Sequence, residues 1–217
     1  HTGGFSHVAA KQQQKGGLKH IDRSLLDQTL GGACDFVFLS VFEWSDRTGW
    51  DVLLRGFLSE FQRRDRVCLL LRTYPENNNG GKDLSEDVRK TITRFATRTF
   101  GKDLNQLARV VVVGKQLDVE RMPELYAAAD AFVLPTRGEG WGRPIAEAMA
   151  MGLPTIATNW SGHTLFADEI TSWPVPLAGL SCIDNVQHAG LYARHRWAEP
   201  SCAGLRRSMR QVYSGVR

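Results

Sequence analysis

From residue 36 onward the chain alternates two kinds of hydrophobic pattern. Short unbroken apolar runs cover Phe36 to Phe42, Val67 to Leu71, Val110 to Val113, Ala131 to Leu134 and Thr155 to Thr158. They have strand length and no polar alternation, the pattern of strands buried on both faces. Between them lie helix-period segments. Trp50, Leu53, Leu54, Phe57, Leu58 and Phe61 recur at i, i+3, i+4 and i+7, which predicts a helix with one core face. A polar helix is predicted from Ser85 to about Arg98. Pro123 opens a short helix through Leu125, Tyr126 and Ala129, and Pro144 opens another to about Met151. Leu205, Met209 and Val212 mark a last helix after Pro200. Strand and helix in strict alternation predict an α/β fold, a parallel sheet covered by helices. Residues 1–33 are polar and glycine-broken, and read as a flexible lead-in or the remnant of an interdomain linker. The ordered domain is expected over 34–217, with an exposed turn-rich insertion at Pro75 to Gly81. Residues 176–198 carry no readable pattern.

Composition narrows the class. The chain has 217 residues, 42% of them hydrophobic and 23% charged, enough for one domain with its own core and too apolar for a disordered chain. Lys and Arg number 27 against 23 Asp and Glu, a net +4 spread along the chain that calls for no nucleic-acid partner. No apolar run approaches the roughly 20 residues of a membrane span, so no transmembrane segment is expected. The chain begins at His1 without a signal pattern, and a fragment of something longer is the expectation. Cys34, Cys68, Cys182 and Cys202 lack metal-site spacing and read as buried thiols, which leans the localisation towards a reducing, cytoplasmic compartment.

The segment with chemical content is Arg137 to Glu147, which joins the end of a buried strand to a helix start. In open α/β sheets ligands bind there. Gly138, Gly140 and Gly142 permit a tight turn with uncovered N–H groups, and the helix mouth offers free donors and a positive dipole end to phosphate or sugar oxygens. Arg143 adds a cation. Glu139 in the loop and Glu147 in the opening turns place two carboxylates beside a ligand lying across that mouth, and carboxylates accept well from vicinal hydroxyls. The competing reading has Glu147 complementing the helix dipole and Glu139 solvated. A dinucleotide fingerprint does not fit, since the glycines alternate and follow a late strand.

At this loop the sequence resembles the C-terminal domain of a family 4, group 1 glycosyltransferase of the two-domain GT-B type. Glu139 and Glu147 stand in the family's E-x7-E arrangement, and the run from Leu125 to Gly162 follows its pattern almost throughout. The stretches Phe38 to Leu54 and Trp197 to Ser201 resemble further elements of it. The resemblance implies a Rossmann-like sheet with helices on both faces, one half of a GT-B fold. It further implies a donor site for a nucleotide sugar of UDP or GDP type, transfer of a glycosyl group with retention, and no bound metal or other cofactor. An acceptor-binding N-terminal domain would lie outside this chain. By motif position Glu139 is the catalytic candidate, contacting the transferred sugar. Glu147 would hold the ribose, and the backbone at Gly140, Trp141 and Gly142, with Arg143, would sit against sugar and diphosphate. The family's diphosphate-neutralising Arg and Lys, aligned on Gly49, are replaced by Glu43 and Thr48, with Arg47 beside them as a substitute cation. An acid usual after the fifth strand is absent from Ser161 to Leu165. These departures define the alternative, a catalytically silent nucleotide-sugar-binding or interaction module with a degenerate diphosphate site. Arg72, Lys115 and His163 also fall on the ligand-binding edge and read as solvated or packing residues. Arg63, Arg64 and the run Arg194 to Arg196 read as solvated faces or an interdomain surface.

Overall fold

The computed structural model describes residues 34–74, 85–113, 119–183 and 195–216. The five expected strands are β1 (Phe36–Glu43), β2 (Val67–Tyr74), β3 (Arg109–Val113), β4 (Ala131–Leu134) and β5 (Thr155–Thr158). A sixth, β6 (Trp173–Val175), extends the same sheet, whose order is β3-β2-β1-β4-β5-β6 with every pairing parallel. The order reverses between β1 and β4, and the carboxyl ends of those two strands therefore open a crevice. The helices are α1 (Trp50–Glu60), α2 (Ser85–Phe100), α3 (Met122–Ala128), α4 (Arg143–Ala150) and α5 (Cys202–Val216). Each lies within two residues of its predicted start.

Register and ring contacts place helices on both faces of the sheet. Phe36 and Phe38 share one face of β1, by the two-residue period of a strand. Phe38 meets Phe57 and Phe61 of the α1 region, and Phe36 meets Tyr213 of α5 with ring centroids 5.3 Å apart. Leu39, on the other face, pairs in register with Phe132 of β4, whose ring contacts Tyr126 of α3. All these residues are buried, and together they form one continuous core. Seven of the eight positions of β1 and of β2 are buried, as a central strand of a doubly covered sheet requires.

The unreadable stretch from 176 holds two antiparallel strands, β7 (Leu177–Cys182) and β8 (Arg196–Pro200), a small second sheet. The lead-in 1–33 and the insertion at Pro75 to Gly81 lie outside the described residues. No helix among the described residues is long and apolar enough to cross a membrane.

The cysteines correct the expectation of four buried thiols. Cys34 and Cys68 are disulfide-bonded with Cα atoms 5.7 Å apart, Cys182 is exposed and Cys202 is partly buried. Cys34 immediately precedes β1 and Cys68 lies in β2, so strand pairing brings them together across 34 residues of sequence. Their pairing removes the ground for favouring a reducing compartment.

Candidate functional site

The turn after β1 and the loop after β4 meet at the crevice where the strand order reverses. Arg47 reaches across: its Nη1 donates to the Gly138 carbonyl at 2.7 Å and to Glu139 Oε1 at 2.8 Å, and its Nη2 donates to Glu43 at 3.4 Å. The same Glu139 oxygen accepts from the Thr136 hydroxyl at 3.1 Å. Arg47 is therefore part of the site. Glu43 lies on the cavity wall. Thr48 is buried and its hydroxyl donates to the Ser45 carbonyl at 2.7 Å, so its side chain faces the protein.

The loop after β5 braces Glu139 from behind. The Glu139 N–H donates to Ser161 Oγ at 3.1 Å, while that hydroxyl donates back to the Glu139 carbonyl at 2.5 Å. Ser161 holds this position at φ 84° and ψ −170°, a backbone region nearly exclusive to glycine. The neighbouring Gly162 is required sterically, because a Cβ there would stand 1.7 Å from the Gly140 carbonyl oxygen. Of the three glycines expected to shape the loop, Gly142 alone is left-handed, with φ 77°, at the mouth of α4. Gly138 and Gly140 have open space where a side chain would be.

Glu147 sits on the other side of the α4 mouth. Its Oε2 accepts from the Tyr126 hydroxyl at 2.7 Å, and its Oε1 pairs with Arg143 Nε at 3.2 Å. Burial, reinforced by the bond to Glu147, pushes the Tyr126 phenol far up, so it remains a donor. Tyr74 stands at the end of β2, within electrostatic reach of Glu43, Glu139, Arg143 and Arg47. Burial raises its pKa first, and Glu43 and Glu139 add to that against Arg143 and Arg47. Neither tyrosine is recognisable as a site residue in the sequence.

A cavity of about 520 Å³ opens beside Glu139. Glu43, Arg47, Glu139 and Gly140 form one side, and Trp160, Ile183, His195, Arg196 and Trp197 another. Trp141, Gly142, Arg143 and Glu147 are not in its lining; Trp141 is 58% exposed and packs on Phe166 with ring centroids 5.1 Å apart. Glu139 and Glu147 thus belong to two adjoining parts of the site, separated by the mouth of α4.

Arg137 holds the frame. Its five N–H groups donate to both Asp51 oxygens, both Glu199 oxygens and the Asp46 carbonyl, all at 2.7–2.9 Å. Burial works against its charge, yet the bonds to Asp51 and Glu199 outweigh it and raise its pKa. The Arg137 carbonyl accepts from Ala198 of β8, which docks the small sheet onto the loop.

His163 is wholly buried, its Cβ against Gly142, and its Nε2 lies 2.7 Å from the Thr158 carbonyl. A carbonyl only accepts, so Nε2 carries the proton, and Nδ1 has no partner among the described residues. His163 is thus the packing residue expected. Arg72 is not solvated: it is 6% exposed, lies over the Tyr74 ring, and its Nε finds no acceptor among the described residues. Arg63 donates to the Asn105 carbonyl and Arg64 is exposed, as a surface run should be. His195 and Arg196 are exposed, as expected of a solvated face, and they also line the cavity. Lys115 and Arg194 lie outside the described residues.

Strand order, switch-point crevice and the loop entering α4 define one Rossmann-like half of a GT-B glycosyltransferase fold. The chain belongs to the family described as Glycosyl transferases group 1, whose sequence profile matches residues 34–179. Mannosylfructose-phosphate synthase of Agrobacterium fabrum is 30% identical over 167 residues, covering 73% of this chain and 34% of that protein. The crystal structure of Anabaena HepE in complex with UDP and glucose superposes with a TM-score of 0.51 at 26% identity, over 68% of this chain and 36% of that one. The α,α-trehalose-phosphate synthase of Burkholderia xenovorans, at 14% identity and a TM-score of 0.60, covers 95% of this chain and 41% of its own, a likeness of fold. The chain spans about a third of the length of the curated relative it matches.

Proposed function

We propose that this chain is the donor-binding half of a glycosyltransferase that takes a nucleotide sugar and transfers its glycosyl group with retention of configuration. The observation that carries the reading is the pair of carboxylates at the switch-point crevice, each fixed by its neighbours. Glu139 is oriented by Arg47 and Thr136, and Glu147 by Tyr126 and Arg143. Fixed acceptors lose little freedom when a hydroxyl binds. In this reading Glu147 accepts from the ribose hydroxyls, and the donor sugar lies against Glu139 and the open space at Gly138 and Gly140. The diphosphate lies across the N–H groups at the mouth of α4, without a metal. The anomeric C–O bond to the β-phosphate breaks and the nucleoside diphosphate leaves with the developing negative charge, which backbone donors and Arg143 must offset. UDP is the first nucleotide to test, because the HepE complex contains it; GDP is the second. A further domain contributes acceptor-binding residues.

One observation favours a second reading, a binding module that does not turn over. Arg47 and Arg143, the cations beside the two glutamates, are each already paired with a carboxylate. Glu43 adds a further negative charge where the diphosphate's cation would stand.

Calorimetric titration with UDP, GDP and ADP and their glucose or mannose conjugates tests both. Glu147→Ala is expected to weaken every nucleotide about tenfold or more, by loss of a charged hydrogen-bond acceptor. Glu139→Ala is expected to narrow the gap between a nucleotide and its sugar conjugate while leaving the bare nucleotide unchanged. Equal affinities in both variants and the unsubstituted chain would overturn the site. Binding without hydrolysis or transfer, once a partner domain is supplied, would favour the silent module.

A further inference from the structure

The 520 Å³ cavity does not end at Glu139. Its lining runs from the loops after β4 and β5 to a wall beside the small β7–β8 sheet, made by Ile183, His195, Arg196 and Trp197. Trp160 stands on the β5 side, 39% exposed, and Trp197 of β8 closes the far side with Ile183. Trp197 and Ile183 also line a second cavity of about 400 Å³, which Ser181 and Cys182 of β7 border.

Two of the three arginines in this lining are compensated, and the third, Arg196, is exposed. All five N–H groups of Arg137 are occupied, and Arg47 is held between Glu43 and Glu139. Such a lining offers an anion one exposed guanidinium. It also offers two tryptophan side chains beside fixed carboxylate oxygens, and that combination suits a neutral polyhydroxylated ring. Ring C–H groups meet the electron-rich indole face while the hydroxyls donate to carboxylates.

We propose that the β7–β8 wall is a saccharide subsite on this domain, with Trp160 and Trp197 as its platforms, binding the acceptor-side sugar next to the donor sugar at Glu139. The inference rests on the donor-half reading for its role in transfer, while the saccharide binding itself stands on the cavity alone. It assigns part of acceptor recognition to the donor-binding domain.

The test is saturation-transfer NMR on the full chain with methyl α-D-glucopyranoside and methyl α-D-mannopyranoside, alone and with a saturating nucleotide sugar. A saturable signal in the millimolar range is expected for at least one glycoside. Trp160→Ala and Trp197→Ala should each weaken it about tenfold, the loss typical of a stacked aromatic anchor. Trp197→Phe keeps a ring in the small sheet and should retain most of the binding, which separates stacking from misfolding. Ile170→Ala, at an exposed position outside the lining, should leave it unchanged. A glycoside displaced by the nucleotide sugar occupies the donor position and overturns the proposal. So does a signal undiminished in both tryptophan variants, and so does the lack of any saturable signal. If no nucleotide sugar binds while the glycoside binds through Trp197, the donor reading falls and the saccharide site stands.

Discussion

His163 is buried as a neutral ring, and burial depresses its pKa below the ordinary value of 6.5 against the smaller opposing pull of Thr158 and Glu139. The unfolded chain therefore binds a proton more readily than the folded one, and stability rises with pH in the window between the depressed pKa and 6.5. Stability should fall as pH drops through that window and level off below it. His163→Gln should flatten this part of a chemical-denaturation series run across pH, and an unchanged slope would refute the assignment. Arg137 gives a second expectation at this scale. Arg137→Met leaves Asp51 and Glu199 partly buried without their cation, and should cost on the order of 3 kcal/mol in urea unfolding at unchanged m-value. Part of this was legible beforehand. The spacing of Glu139 and Glu147 marked both acids, because a motif is a local property of sequence. The direction of Arg47 was not, because its partners lie about 90 residues away.

Elements differ in legibility for a physical reason. β1, β2, β4 and β5 are buried along their length and announce themselves as apolar runs. β6 has three residues including Pro174, which an edge strand tolerates because one side of it needs no ladder donor. β7 is half or fully exposed throughout and carries a register shift at Gly179, so it has no hydrophobic signature. β7 pairs with β8, which carries Trp197 of the aromatic wall. The loops after β4 and β5 depend on each other through Ser161, whose backbone strain is of order 1–3 kcal/mol. Ser161→Ala keeps the strain and loses both bonds to Glu139, whereas Ser161→Gly loses the bonds and the strain together. The glycine variant should therefore unfold about 1–2 kcal/mol later than the alanine variant. Amide exchange at Glu139 should quicken in both; equal stability would mean that Ser161 is unstrained.

For the molecule as a whole, the 3-2-1-4-5-6 sheet order explains why residues far apart in sequence form one site. The first and fourth strands deliver Arg47 and Glu139 to the same crevice, and the fifth delivers Ser161 and Trp160. Alternating strand and helix patterns predict such a sheet, yet give neither its order nor what docks on its rim. Arg137 links that rim to both α1 and the small sheet through Asp51 and Glu199. The Cys34–Cys68 bond closes a loop of 34 residues of sequence separation, and the chain-entropy account assigns such a closure about 4 kcal/mol. Its position has a mechanical meaning as well. Cys34 is where residues 1–33 enter the described domain. A pull along that segment cannot peel β1 from the sheet end first, because the covalent tie delivers the load to β1 and β2 together. Tension is then borne in shear by the central strands, and the crevice at their far ends is insulated from it until the tie is reduced.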